Sequence, residues 1–207
     1  MRRVLILVNT SVSDDPRVVN QGMTLTQAGY DVVVLGAARE PGGGQPVCSE
    51  LHGMRVMLVP VVSSKNPLRL LKALWRLARG DIGIRTEAPD QRMTNAISLV
   101  FLNLWLVRLG LGMRFDVVHC HDAVPLPAAW LLARWRRAVL IYDARESVPD
   151  LYTGTKGKLA AWMEGLFVPR ADAVVTVGER LRSALVRRRA RQVVVIGNWK
   201  RLSLIHI

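Results

Sequence analysis

The sequence predicts an α/β protein built on a doubly wound parallel sheet of about seven strands. Short apolar runs rich in Val and Ile recur along the chain, and stretches with helical periodicity separate them, which is the pattern of repeated β-α-β units. Half of the 207 residues are apolar, enough to bury one sizeable core, so residues 1–198 read as a single domain.

The first strand is expected over residues 4–8; its apolar run is too short for a signal peptide, and no small-residue cleavage site follows. Asp15 and Pro16 then mark a helix start over 16–28, with Asp15 as cap and Pro16 at the first helical position. Arg17 opposes the helix dipole there, so it either pairs with Asp14 or Asp15 or serves an external anion. Further strands are expected over 31–35, 55–59, 117–119, 139–142, 173–177 and 193–196, with helices over 67–79, 91–113, 124–136, 156–168 and 179–189. Gly42, Gly43 and Gly44 mark a surface loop. Residues 199–207 break the pattern: LSLIHI has no amphipathic period and coincides with one reading frame of a transposon-end sequencing adapter, so a truncated or non-native tail is expected.

Two strands end in polar clusters. FDVVHCHD, at 115–122, turns from an apolar run into His119, Cys120, His121 and Asp122, and LIYDARE, at 140–146, ends in Asp143, Ala144, Arg145 and Glu146. In an open parallel sheet ligands bind beyond the carboxyl ends of the strands, so both clusters are expected to face one crevice. Three readings of the first cluster stay open. His119 and His121, about 7 Å apart on one strand face, could chelate a metal with Asp122. His119 could instead be a satisfied core residue while Asp122 caps the following helix. Alternatively the cluster is a ligand site in which His121 gives a hydrogen bond or moves a proton. For Arg145, a local pairing with Asp143 or Glu146 competes with a role in the crevice.

The net charge of +13 implies an anionic partner. Residues 65–79, KNPLRLLKALWRLAR, read as a basic amphipathic helix suited to an anionic bilayer, or as a solvated helix face. Asn103 and Arg108 interrupt the apolar stretch 96–113, which argues against a membrane span; it either packs under the sheet or extends an apolar surface that meets lipid. The tryptophans at 105, 130, 135 and 162 read as core or interface anchors. LVRRRARQ, at 185–192, raises nucleic-acid binding as a rival, although no recognition motif accompanies it and cations favour a helix carboxyl end in any case. Cys48 and Cys120 form no disulfide framework, which favours the cytoplasm, with the inner membrane face as a peripheral location.

Taken in order, SDDPRV, QAGYDVVVL, FDVVHCHD, LIYDARE, RADAVVTVGERL and VVVIGN form a series that resembles the amino-terminal domain of a family 4 glycosyltransferase with the GT-B fold. The resemblance implies a Rossmann-like acceptor-side domain, normally followed by a second such domain that binds a nucleotide-sugar donor and is absent from this chain. It implies sugar transfer to an acceptor hydroxyl with retention of configuration, no bound metal and no cofactor. The acceptor would be a glycan or lipid-linked precursor, and the chain by itself is expected to be inactive. His121 falls on the family's cleft histidine and becomes the catalytic candidate; Asp15, Arg17, Asp122, Arg145 and Glu146 become acceptor-binding candidates. Family members often carry a histidine at the position of Arg145, and a longer cation there suits an anionic acceptor. A nucleotide-sugar epimerase on the same fold is the further alternative.

Overall fold

The computed structural model describes residues 2–12, 15–38, 47–60, 96–145 and 154–197. In chain order the elements are β1 (Arg3–Leu7), α1 (Pro16–Gln27), β2 (Asp31–Ala38), β3 (Val47–Leu51), β4 (Met54–Pro60), α2 (Ala96–Gly110), β5 (Val117–His121), α3 (Leu126–Arg136), β6 (Val139–Ala144), α4 (Gly154–Phe167), a 3-10 turn (Val168–Arg170), β7 (Ala173–Thr176), α5 (Glu179–Arg187) and β8 (Val193–Val195). The strands form one sheet in the order β3-β4-β2-β1-β5-β6-β7-β8, parallel throughout except for β3, which runs antiparallel to β4. The strand order reverses direction at β1, between β2 and β5. In doubly wound sheets that reversal opens a crevice at the carboxyl edge.

Side-chain alternation divides the core. Val4, Ile6 and Val8 of the first strand face α1 together with Val32, Val34 and Val56, and Val18 and Met54 close that layer. Leu5, Leu7, Val118, Cys120 and Leu140 face the opposite side, where Leu99, Phe101, Leu102, Trp105 and Leu106 of α2 pack with Leu126, Ala129 and Leu132 of α3. The apolar stretch over α2 therefore lies under the sheet, the first of the two placements its sequence left open. No helix among the described residues is long and apolar enough to cross a membrane.

The aspartates that open the DVV-type runs fix the strand register. Asp116 accepts the backbone N–H of Arg3 at 2.8 Å, tying β5 to β1, and Asp172 accepts that of Leu140 at 2.8 Å, tying β7 to β6. Asp31 receives Arg55 at 2.9 Å and Arg3 at 3.5 Å on the same edge. With this end anchored, the ladder that pairs His119 with Ile141 and His121 with Asp143 decides which side chains emerge at the other end.

The structure departs from the sequence reading in several places. The sheet has eight strands among the described residues, because Val47–Leu51 forms an edge strand that the apolar-run criterion misses. Four of its five residues are exposed, and it folds onto β4 through His52 and Gly53, both with positive φ (50° and 79°), the backbone of a tight hairpin. The helix expected to start at residue 124 starts at Leu126, and Asp122 does not cap it. Its cap is supplied from α2: Asn103 Oδ1 accepts the N–H of Ala128 at 2.9 Å, while Asn103 Nδ2 donates to the carbonyls of Leu99 and Val124 at 2.8 and 2.9 Å. Trp105 is buried, but Trp135 and Trp162 are 67% and 62% exposed and are not core residues. The helix expected over 67–79, the glycine loop and the tail after residue 197 lie outside the described residues.

Candidate active site at the strand ends

Three segments converge at the carboxyl edge of the sheet. The β1–α1 connection delivers Asp15, the end of β5 delivers His121 and Asp122, and the end of β6 delivers Asp143 and Arg145. Gly36 allows the first of these to lie close, because a Cβ there would stand 2.8 Å from the Thr10 carbonyl oxygen, which accepts a hydrogen bond from Ala37 N at 3.2 Å.

Arg145 is the hub. Its Nε and Nη2 donate to the two carboxylate oxygens of Asp122 at 3.3 and 2.6 Å, a two-pronged grip. Its Nη1 donates to Asp15, whose other oxygen accepts the backbone N–H of Arg17 at 3.1 Å and so caps α1. Burial alone would ease the proton off Arg145, but Asp122 and Asp15 outweigh it and hold the guanidinium charged. Among the described residues Arg145 thus pairs with Asp122 and Asp15 rather than with Asp143, its neighbour in sequence; Glu146, the other local partner the sequence offered, lies outside the described residues. Asp122 reaches Arg145 because its backbone is left-handed, φ 67°, immediately after the strand. That turn carries its carboxylate away from the start of α3 and explains why it cannot cap that helix.

Behind this ion cluster lies a second layer. His119 and His121 point to the α1 side of the sheet with their rings stacked, centroids 4.9 Å apart and planes 11° from parallel. Gln21 of α1 bridges them: its Nε2 lies 3.0 Å from Nδ1 and 3.3 Å from Nε2 of His119, and its Oε1 accepts from His121 Nε2 at 2.6 Å. On its other side His121 Nδ1 lies 3.4 Å from Asp143 Oδ2. Both imidazoles are held neutral. Burial pushes His119 down to about 4, and burial, then His119 and Arg145, push His121 down as well. Burial has the opposite effect on Asp143 and raises it to about 6, although Arg145 draws it back.

The chemistry of this arrangement is that of hydroxyl recognition. The partly exposed carboxylates of Asp15, Asp122 and Asp143 offer acceptors to a polyol, while the Arg145 guanidinium is already matched by two carboxylates and is poorly placed to capture a phosphate. A metal is disfavoured by geometry. Ligand atoms of His119, His121 and Asp143, rather than Asp122, lie within 4.8 Å of one another. However, the lone pairs of two stacked imidazoles run side by side, so an ion about 2.1 Å from each could not lie in both ring planes.

Of the residues singled out from sequence, Asp15, Asp122 and Arg145 meet directly, and His121 lies behind them. Arg17 acts through its backbone at the cap, and its side chain has partners of its own. The sequence reading passed over Gln21, and it left Asp143 in a cluster without a role. A polar residue six positions after a helix-opening aspartate is no signal by itself; only the packing of α1 over β5 makes Gln21 a site residue.

A polar cluster at the reversal point of a doubly wound sheet lies where such folds bind their ligands. The chain matches the glycosyl transferase 4-like domain over residues 16–199 and belongs to that family. Among solved structures, it is similar to sucrose-phosphate synthase from Thermosynechococcus elongatus, with a TM-score of 0.61 at 12% identity over 95% of this chain and 48% of that one. The α,α-trehalose 6-phosphate synthase of Burkholderia multivorans gives 0.54 at 17% identity over 90% and 42%. An Escherichia coli trehalose-6-phosphate structure bound with UDP-2-fluoro glucose gives 0.55 at 14% identity over 89% and 42%. The chain thus spans about half the length of these structures. No curated protein matches its sequence.

Proposed function

We propose that this chain forms the acceptor-side wall of a glycosyltransferase that moves a sugar from a nucleotide-sugar donor to an acceptor hydroxyl, with retention and without a bound metal. The observation that carries the reading is the convergence of Asp15, Asp122, Asp143, Arg145 and His121 at the strand-reversal edge of a family domain. Donor binding and leaving-group stabilisation would fall to a second domain, in line with the bound UDP-sugar analogue of the longer Escherichia coli structure. On this reading the 207 residues alone transfer no sugar. Detectable transfer by the purified chain, assayed with nucleoside-diphosphate sugars and mixed glycan acceptors, would contradict the division of labour.

For the acceptor, the neutralised Arg145 favours a hydroxyl-rich group at the site itself, such as the glycan portion of a lipid-linked or cell-surface polysaccharide precursor. The lipid portion would meet the bilayer elsewhere. On α3, Leu131 and Trp135 are exposed beside Arg134, Arg136 and Arg137, and Trp162 is exposed on the neighbouring α4. Tryptophan with arginine suits the interface of an anionic membrane, and this supports our reading of a peripheral position at the inner face. The Trp135→Ser, Trp162→Ser double variant should lose most binding to anionic vesicles while neutral vesicles bind neither protein; equal binding by variant and parent would remove this face from the proposal. A nucleic-acid role is disfavoured because Arg188 of the arginine-rich segment is paired with buried Glu164, itself hydrogen-bonded by the Tyr142 hydroxyl at 2.9 Å.

A further inference from the structure

His121 is only 1% exposed, whereas the side chain of Asp143 beside it is 15% exposed. The two residues face each other in register across β5 and β6, and on the far side of His121 the Gln21 amide closes the row. His121 Nε2 lies 2.6 Å from Gln21 Oε1, a carbonyl oxygen that can only accept, so the imidazole proton sits on Nε2. The other nitrogen, Nδ1, is buried and has no hydrogen-bond partner among the described residues; Asp143 Oδ2 lies 3.4 Å from it.

We infer that Gln21 and His121 are positioning residues for Asp143: Gln21 fixes the imidazole proton on Nε2, His121 turns a bare Nδ1 towards the Asp143 carboxyl, and Asp143 meets the bound hydroxyl. That the hydroxyl belongs to a sugar rests on the function proposed above. The hydrogen-bond order does not. When Asp143 is protonated its O–H can donate to Nδ1; when it is ionised a lone pair faces a carboxylate, and no proton lies between them. The charged groups around this pair are Arg145 just after β6, Arg17 on α1, Asp15 at the start of α1 and Asp122 after β5, while neutral His119 stacks on the His121 ring. Burial, followed by the neighbouring Asp122, raises the Asp143 carboxyl to about 6, so both of its protonation states are reached near neutral pH.

The test is a long-range proton–nitrogen spectrum of the 207-residue chain labelled at histidine, recorded near pH 7. His121 should show a protonated Nε2 and a bare Nδ1. In Gln21→Leu the Nε2 proton loses its acceptor, so the tautomer should move towards Nδ1–H, now donated to Asp143. The Asp143 carboxyl should then titrate about one pH unit lower, because its ionised form gains a hydrogen bond. Gln21→Glu keeps an acceptor oxygen and should restore the parent tautomer. A parent spectrum with the proton on Nδ1 would overturn the inference, as would a Gln21→Leu variant that leaves both tautomer and Asp143 titration unmoved. The parent spectrum requires no variant, so a variant that failed to fold would not shelter the idea. A failed transfer assay would count against the sugar reading and leave this arrangement standing.

Discussion

Replacing Asp143 by Asn should make the protein more stable at neutral and alkaline pH. Burial lifts the carboxyl from 3.8 to about 6, roughly two units, and each unit is worth about 1.4 kcal/mol between the two protonation states. The folded protein therefore holds this proton more tightly than the unfolded chain does. Its stability contribution is fully present below about pH 4 and is lost as pH rises through about 6, leaving a penalty near 3 kcal/mol above that window. Asparagine mimics the protonated acid and carries no such penalty. Urea denaturation of parent and Asp143→Asn should give a difference of about 1 to 3 kcal/mol in favour of the variant near pH 8, shrinking towards zero near pH 4. A variant less stable than the parent near pH 8, or a difference that does not change with pH, would refute the reasoning. A carboxylate kept where it destabilises the fold is the signature of a functional group.

Two further substitutions probe the frame that holds the site. Asn103→Ala removes the cap of α3 and leaves the N–H of Ala128 and the carbonyl of Val124 without this partner, so denaturation should register a loss of about 1 to 3 kcal/mol. Arg145→Met leaves Asp15 and Asp122 facing each other without their cation and should cost about 3 to 5 kcal/mol near neutral pH. Adding Asp122→Asn to it should recover part of that loss, and strict additivity in the double-mutant cycle would show that the pair is not coupled.

Most of the sheet was legible because a parallel strand buried on both faces must be apolar, and each such run stood clear of its neighbours. The strand Val47–Leu51 was not, since an edge strand exposed on most of its length has no reason to be apolar; its one trace was the His52-Gly53 pair suited to positive φ. The same physics separates what could and could not be read at the site. Asp122 and Arg145 announced themselves as polar residues after apolar runs, and Asp15 as the cap before Pro16. Their pairing did not, because it joins residues 130 and 23 positions apart and depends on the left-handed turn at Asp122. Gln21 met His121 across 100 positions through helix packing, and Asn103, read from sequence only as an interruption of an apolar stretch, proved to be the cap of another helix.

The proposal that these strand ends form one wall of a sugar-transfer cleft is tested most directly by turnover. The measurement is kcat for transfer from a nucleotide sugar by a protein in which this chain is joined to a donor-binding second domain, with His121 replaced by Ala. The proposed site predicts a fall of about 100-fold or more, out of proportion to any shift in the denaturation midpoint; a kcat within about two-fold of the parent would contradict it and leave His121 a residue of the core.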